Sequence, residues 1–140
     1  MIFDEVDQKK TADKVDTFFK KDYERLKVMA SVSIGSSSYG ERVSESKLNG
    51  QEERYTRKAW ASQIVEAVQT AINSCDERCK NLLELRYLKN YAVWQVAQNI
   101  GYSDSMYHQL RRKACNQFAD AFEVVAEPLL GDDSDLHVYK

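Results

Sequence analysis

A chain of 140 residues with 43% hydrophobic and 11% aromatic residues carries enough apolar mass for one packed domain, which excludes a disordered chain. One proline and five glycines leave long stretches without breakers, so helices are favoured over a strand-and-turn architecture. The formal net charge of -2 excludes any argument for nucleic acid from overall charge, so a phosphate-binding surface has to come from uneven distribution. Such unevenness exists: Arg111, Arg112 and Lys113 are consecutive, whereas Glu123, Glu127, Asp132, Asp133 and Asp135 follow with no basic side chain until Lys140.

The predicted fold class is all-α. A first helix is expected from about Phe3 to Ala30, an N-terminal helical arm with Val15, Phe18, Phe19, Tyr23, Leu26 and Met29 on one stripe. The serine-rich stretch around Gly35 and Gly40 (residues 31–51) reads as a flexible linker or loop. A second helix follows from about Glu52 to Ala71, bearing Trp60, Ile64, Ala67, Val68 and Ala71. Ser74 with Glu77 three residues on has the form of a capping box, and starts a third helix with Cys79, Leu82, Leu83, Leu85 and Leu88. Lys89 and Asn90 break it before a short fourth helix with Val93, Val96, Ala97 and Ile100.

Gly101 is expected to end that helix in the left-handed conformation, and Ser103 to cap a long fifth helix. Tyr107, Leu110, Ala114, Phe118, Ala121 and Val125 form its apolar side, and Pro128 is expected to stop it. One helical domain is therefore expected over about 52–127, and residues 128–140 are expected to be a loosely held acidic tail.

Short helix, glycine turn and longer helix are the parts of a helix-turn-helix. A twenty-residue unit from Val93 to Arg112 places Val96, Ile100, Tyr102, Tyr107 and Leu110 where the two helices pack, and small Ala97 where they cross closely. The alternative reading is a helical hairpin with a glycine cap. In the DNA-binding reading, Ser105, His108, Gln109 and Arg112 face the major groove, with Asp104 at the entry. Gln can pair bidentately with adenine and Arg with guanine. Arg111 and Lys113 suit phosphate contacts that set register, and Ser103 can cap the helix and also touch phosphate.

The run Leu85, Arg86, Tyr87, Leu88, then Trp94, Gln95, Val96, Ala97, then Ile100, Gly101, Tyr102, Ser103 resembles region 4 of sigma-70-type factors. More closely, the chain resembles the ArpU family of phage late-gene transcriptional regulators. The likeness includes the opening Phe3, Asp4, Glu5, Val6, Asp7, the stretch Phe18, Phe19, Lys20, Lys21, Asp22, the Asn73, Ser74, Cys75 junction, and the ending Leu136, His137, Val138, Tyr139, Lys140. The resemblance implies a bacteriophage or prophage protein that activates late packaging or lysis genes by binding promoter DNA and recruiting host RNA polymerase. In sigma-like units the residues matching Asp104, Ser105, His108 and Gln109 face promoter bases. Two departures stand out. Ala92 occupies the usual Ser or Thr cap of the fourth helix, leaving Asn90 as a possible substitute, and Asp104 with Ser105 stands where sigma factors often use charged pairs.

No apolar run is long enough to span a bilayer, and Asp4, Glu5 and Asp7 after Met1 do not make a secretory signal, so the expectation is a protein of the bacterial cytoplasm. Cys75, Cys79 and Cys115 are an odd set for disulfides, and Cys75 with Cys79, even joined by Cys115 or His108, lacks a convincing four-ligand zinc pattern. Neither His108 nor His137 has a nucleophile or carboxylate at motif spacing, and Gly35 opens no phosphate loop, so no enzyme, cofactor or metal is expected. Trp60 is read as core. Trp94 is read as half exposed, within reach of phosphate or a polymerase subunit. Phe118, Phe122 and Val125 could pair two chains as a homodimer. Two alternatives stay open: a DNA-packaging component such as a small terminase subunit, and a sigma-like module that binds polymerase without reading DNA alone.

Overall fold

Asp7 starts the first helix: its Oδ1 accepts the Lys10 backbone N–H at 3.0 Å, satisfying one of the donors that a helix start leaves without a partner. The computed structural model describes residues 2–34 and 45–140, and side chains in the second segment from Gly50 onward. Helix α1 (Gln8–Thr17) runs through a π-helical turn (Phe18–Asp22) into α2 (Tyr23–Ser31). The wider turn lets Phe18 and Phe19 both point inward, beside Val15, Tyr23 and Leu26. The expected start at Phe3 is not observed, since that residue precedes the helix and its side chain is exposed.

Helix α3 (Glu45–Asn73) begins seven residues before the expected Glu52, so the anticipated linker is helical from residue 45. The part of that linker at 35–44 lies outside the described residues. Ala61, Ile64, Ala67, Val68, Ala71 and Ile72 line its buried side. Helix α4 (Glu77–Leu83), continued by a second π-helical turn (Glu84–Leu88), is capped by Asp76 and not by Ser74. The Asp76 Oδ1 accepts from the Cys79 N–H at 3.0 Å, while the Ser74 hydroxyl donates back to the Thr70 carbonyl at 2.8 Å. Ser74 thus still belongs to the end of α3, where a hydroxyl finds a free carbonyl.

Helices α5 (Val93–Ile100) and α6 (Asp104–Leu130) complete the all-α fold; among the described residues the strand-like pairing is limited to one isolated bridge, Val6 with Tyr139. Pro128 does not stop α6. It removes one backbone donor, yet the helix continues to Leu130 because Leu129 and Leu130 pack against the core and the Trp60 indole N–H donates to the Leu129 carbonyl at 3.1 Å. Gly131, at φ 58°, ends the helix instead.

One hydrophobic cluster unites all six helices and Leu136. Phe19 stacks on Tyr87 with ring centroids 4.3 Å apart, and Phe118 stacks on Phe122 at 5.2 Å. The expected separation into arm, domain and loose tail therefore gives way to a shared core. The N-terminal helix contributes Ala12, Val15, Phe18 and Phe19 to it, and the tail contributes Leu136. The tail is also tied to the opening segment: Asp7 N–H donates to the Val138 carbonyl at 2.7 Å and Lys140 N–H to the Glu5 carbonyl at 3.0 Å. Among the described residues, no helix is long and apolar enough to cross a membrane.

Candidate nucleic-acid interface

The α5–α6 junction is built by backbone geometry. Gly101 sits at φ 73°, its N–H donates to the Gln98 carbonyl, and the Tyr102 N–H donates to the Ala97 carbonyl at 2.9 Å. Those paired bonds close the end of α5 in a Schellman motif, which needs a left-handed residue at this point. A Cβ on Gly101 would meet no atom within 4 Å, so the requirement is the dihedral angle and not crowding. Ser103 then caps α6, its Oγ accepting from the Met106 N–H at 3.3 Å. At the other end of α5, Ala92 offers no side-chain acceptor. The Gln95 side chain reaches back to accept the Ala92 N–H at 2.9 Å, the reciprocal half of a capping box, and the cap expected of Asn90 is not seen, its backbone being left-handed at φ 57°.

Burial sorts the predicted residues. Val96, Ala97, Tyr107 and Leu110 face inward, with Ile100 and Tyr102 packed partly against them. Asp104, Ser105, His108, Gln109, Arg112 and Lys113 are exposed along the first turns of α6. Gln109, Arg112 and Lys113 share a groove of about 300 Å³ with Gln8, Asn116, Gln117 and, at its far end, Asp120, so the start of α1 borders the same face. Asn116 fixes that border by donating to the Gln8 carbonyl at 3.0 Å.

The basic trio does not act as a unit. Arg111 turns inward, with side-chain exposure of 21%, and stands 3.7 Å from both Asp13 and Asp16 of α1. Its expected phosphate contact is therefore replaced by an intramolecular one, because α1 brings two carboxylates within reach and position 111 lies beside the buried stripe. Lys113 pairs with Asp76 Oδ2 at 3.2 Å, and Gln117 donates to the same oxygen at 2.9 Å. The Cys79 backbone N–H and Gln117 together hold Asp76 well below the usual carboxylate range. Lys113 thus braces α6 against the start of α4 while its side chain stays exposed. Arg112 has no ion-pair partner among the described residues and is the member of the trio left for an outside anion.

Three exposed groups at this end add to the predicted set. Arg78 donates to the Tyr102 hydroxyl at 2.6 Å, beside the glycine turn, and its guanidinium lies 5.9 Å from the Tyr102 ring centre. Nothing local in the sequence joins residues 78 and 102. Met106 is 49% exposed although it stands one turn before buried Leu110, so the helical period alone places it near the apolar side and gives no signal of its exposure. Trp94 is 65% exposed on α5, a large apolar side chain open to solvent.

The thiols take no part. Burial pushes Cys79 up to about 12 and Cys75 and Cys115 up to about 11, so all three hold their protons near neutral pH. Comparison of the chain with family models, with curated proteins and with solved structures returned no match.

Proposed function

We propose that the chain is a sequence-specific DNA-binding transcription regulator that lays the first turns of α6 in the major groove. The observation that carries this reading is a Ser103-capped helix, set by a left-handed Gly101, whose outward side presents Asp104, Ser105, His108, Gln109 and Arg112. In this reading Gln109 and Arg112 read base edges, Ser105 and His108 supplement them, and Ser103 approaches phosphate, while Lys113 stays with Asp76. The resemblance to phage late-gene regulators of the ArpU family supports a target near a late promoter, host RNA polymerase as partner and the bacterial cytoplasm as the place of action. Pairing of two chains on a two-fold operator fits the same scheme.

Band-shift titration of a phage late-promoter fragment at fixed salt tests the reading. Gln109→Ala and Arg112→Ala should each lose about 1–3 kcal/mol of specific binding and relax base preference. If both variants keep wild-type affinity and preference, α6 is not the recognition helix. Exposed Trp94 and Met106 favour a second reading, a module that docks on a protein such as a polymerase subunit. Polymerase co-purification lost in Trp94→Ala, with no specific DNA affinity in the wild type, would select it.

A further inference from the structure

Beyond the first turns of α6, past the groove that Asp120 closes, a second cluster of side chains gathers around His137. The His137 side chain is 8% exposed and lies among carboxylates from α6 and from the tail. Its Nδ1 is 2.6 Å from Asp135 Oδ1 and 3.1 Å from Glu123 Oε2, and its Nε2 is 2.7 Å from Asp120 Oδ1. The donor atoms of Glu123, Asp135 and His137 all lie within 4.8 Å of one another. Asp135 is itself oriented: its Oδ1 accepts from the His137 backbone N–H at 3.0 Å and its Oδ2 from the Tyr139 hydroxyl at 2.7 Å. The nearby Lys14 ammonium donates to the Asp135 main-chain carbonyl at 3.2 Å, not to a carboxylate of the cluster.

We propose that Glu123, Asp135 and His137 form a binding site for one divalent first-row transition cation of the zinc class, with Asp120 orienting the imidazole. Two carboxylates converge on Nδ1, where a single N–H can donate well to only one of them. Three carboxylates around one imidazole also leave at least two negative charges uncompensated within the cluster. A dication taking the place of the Nδ1 proton, which leaves to solvent, removes one of these and serves both inner carboxylates at once. One imidazole nitrogen with two carboxylate oxygens is a donor set suited to zinc, cobalt or manganese, with water completing the sphere. The Nε2 contact to Asp120 matches the outer carboxylate that metal-bound histidines use to fix their tautomer. Because Glu123 stands on α6 and the other two ligands on the tail, the ion would fasten the tail to the long helix.

Calorimetric titration of the full chain, stripped of metal by chelator and dialysis, with zinc, and optical titration with cobalt, test the site. The expected result is one ion per chain, a raised Tm with zinc, no response to magnesium, and a cobalt spectrum without thiolate charge-transfer bands. Glu123→Gln leaves His137 between Asp120 and Asp135, so it should fold as the parent does while zinc affinity falls by about tenfold or more. Asp120→Asn should weaken binding by about 10–100-fold, and His137→Gln should abolish it. Absence of zinc binding by the parent at micromolar concentrations would overturn the proposal and leave His137 as a proton-held clasp. So would binding unchanged in Glu123→Gln and His137→Gln, or thiolate bands that move the ion to the cysteines.

Discussion

The two halves of α6 are treated in opposite ways by the rest of the chain. From Ala114 to Ala126 the helix is the centre of the molecule, with Ala114, Cys115, Phe118, Ala119, Phe122 and Ala126 all buried and α1, α3 and α4 packed around it. From Asp104 to Lys113 only Tyr107 and Leu110 are buried, and the remaining side chains lie open or, for Arg111, half covered. One uninterrupted helix thus carries the main apolar burial at one end and a polar surface at the other. The buried half holds the open half in place, so the open half can vary in chemistry at little cost in stability.

The comparison can be broken most directly at Phe118, which is fully buried between Phe18, Phe19 and Phe122. Phe118→Ala should cost about 3–5 kcal/mol in urea unfolding. A loss near the scale of a surface change would mean that the covered half is not the core. Gly101→Ala should cost about 1–2 kcal/mol, since alanine fits the space but not the left-handed backbone. Gly101→Asn should cost less, because asparagine tolerates that conformation. Thermal melts of the two variants check the order.

The smallest effect sharpens the boundary at Asp16. Burial raises its pKa, but hydrogen bonds with Lys20 and Tyr87 and the charges of Lys20 and Arg111 lower it further than burial raises it. Its folded pKa is therefore below the ordinary value of 3.8, so its stabilising contribution is complete above that value and is lost as pH falls through the depressed one. The stability difference between the parent and Asp16→Asn should shrink on acidification from neutral pH and vanish in strong acid. A difference that grew on acidification would reverse the assigned sign.

What the sequence shows well is what depends on neighbours along the chain. The apolar stripe Val15, Phe18, Phe19, Tyr23 and the succession Ile100, Gly101, Tyr102, Ser103 can be read locally, since a helical period and a turn dihedral are local demands. Ser74 misled because Ser-x-x-Glu also fits a serine that closes the helix before it, while Asp76 gains its hold on Gln117 and Lys113 only after α6 has packed. Arg111 looked like its neighbours until α1 brought Asp13 and Asp16 beside it. The tail looked loose because its partners Glu5, Asp7 and Thr11 stand at the other end of the chain. The six exposed polar positions on the first turns of α6 follow from periodicity, whereas the exposure of Met106 and the division into braced and open charges do not.

The unbroken length of α6 has a mechanical consequence. From Phe118 to Ser105 the helix spans roughly 20 Å, so a tilt of about 3° about the aromatic cluster would displace the tip by about 1 Å. Asp76, gripping Lys113 and Gln117, acts as a stay partway along this lever. Anything that shifts the seating of the far end, where Asp120 and Glu123 meet the tail, is thereby delivered to Ser105 as a change of aim.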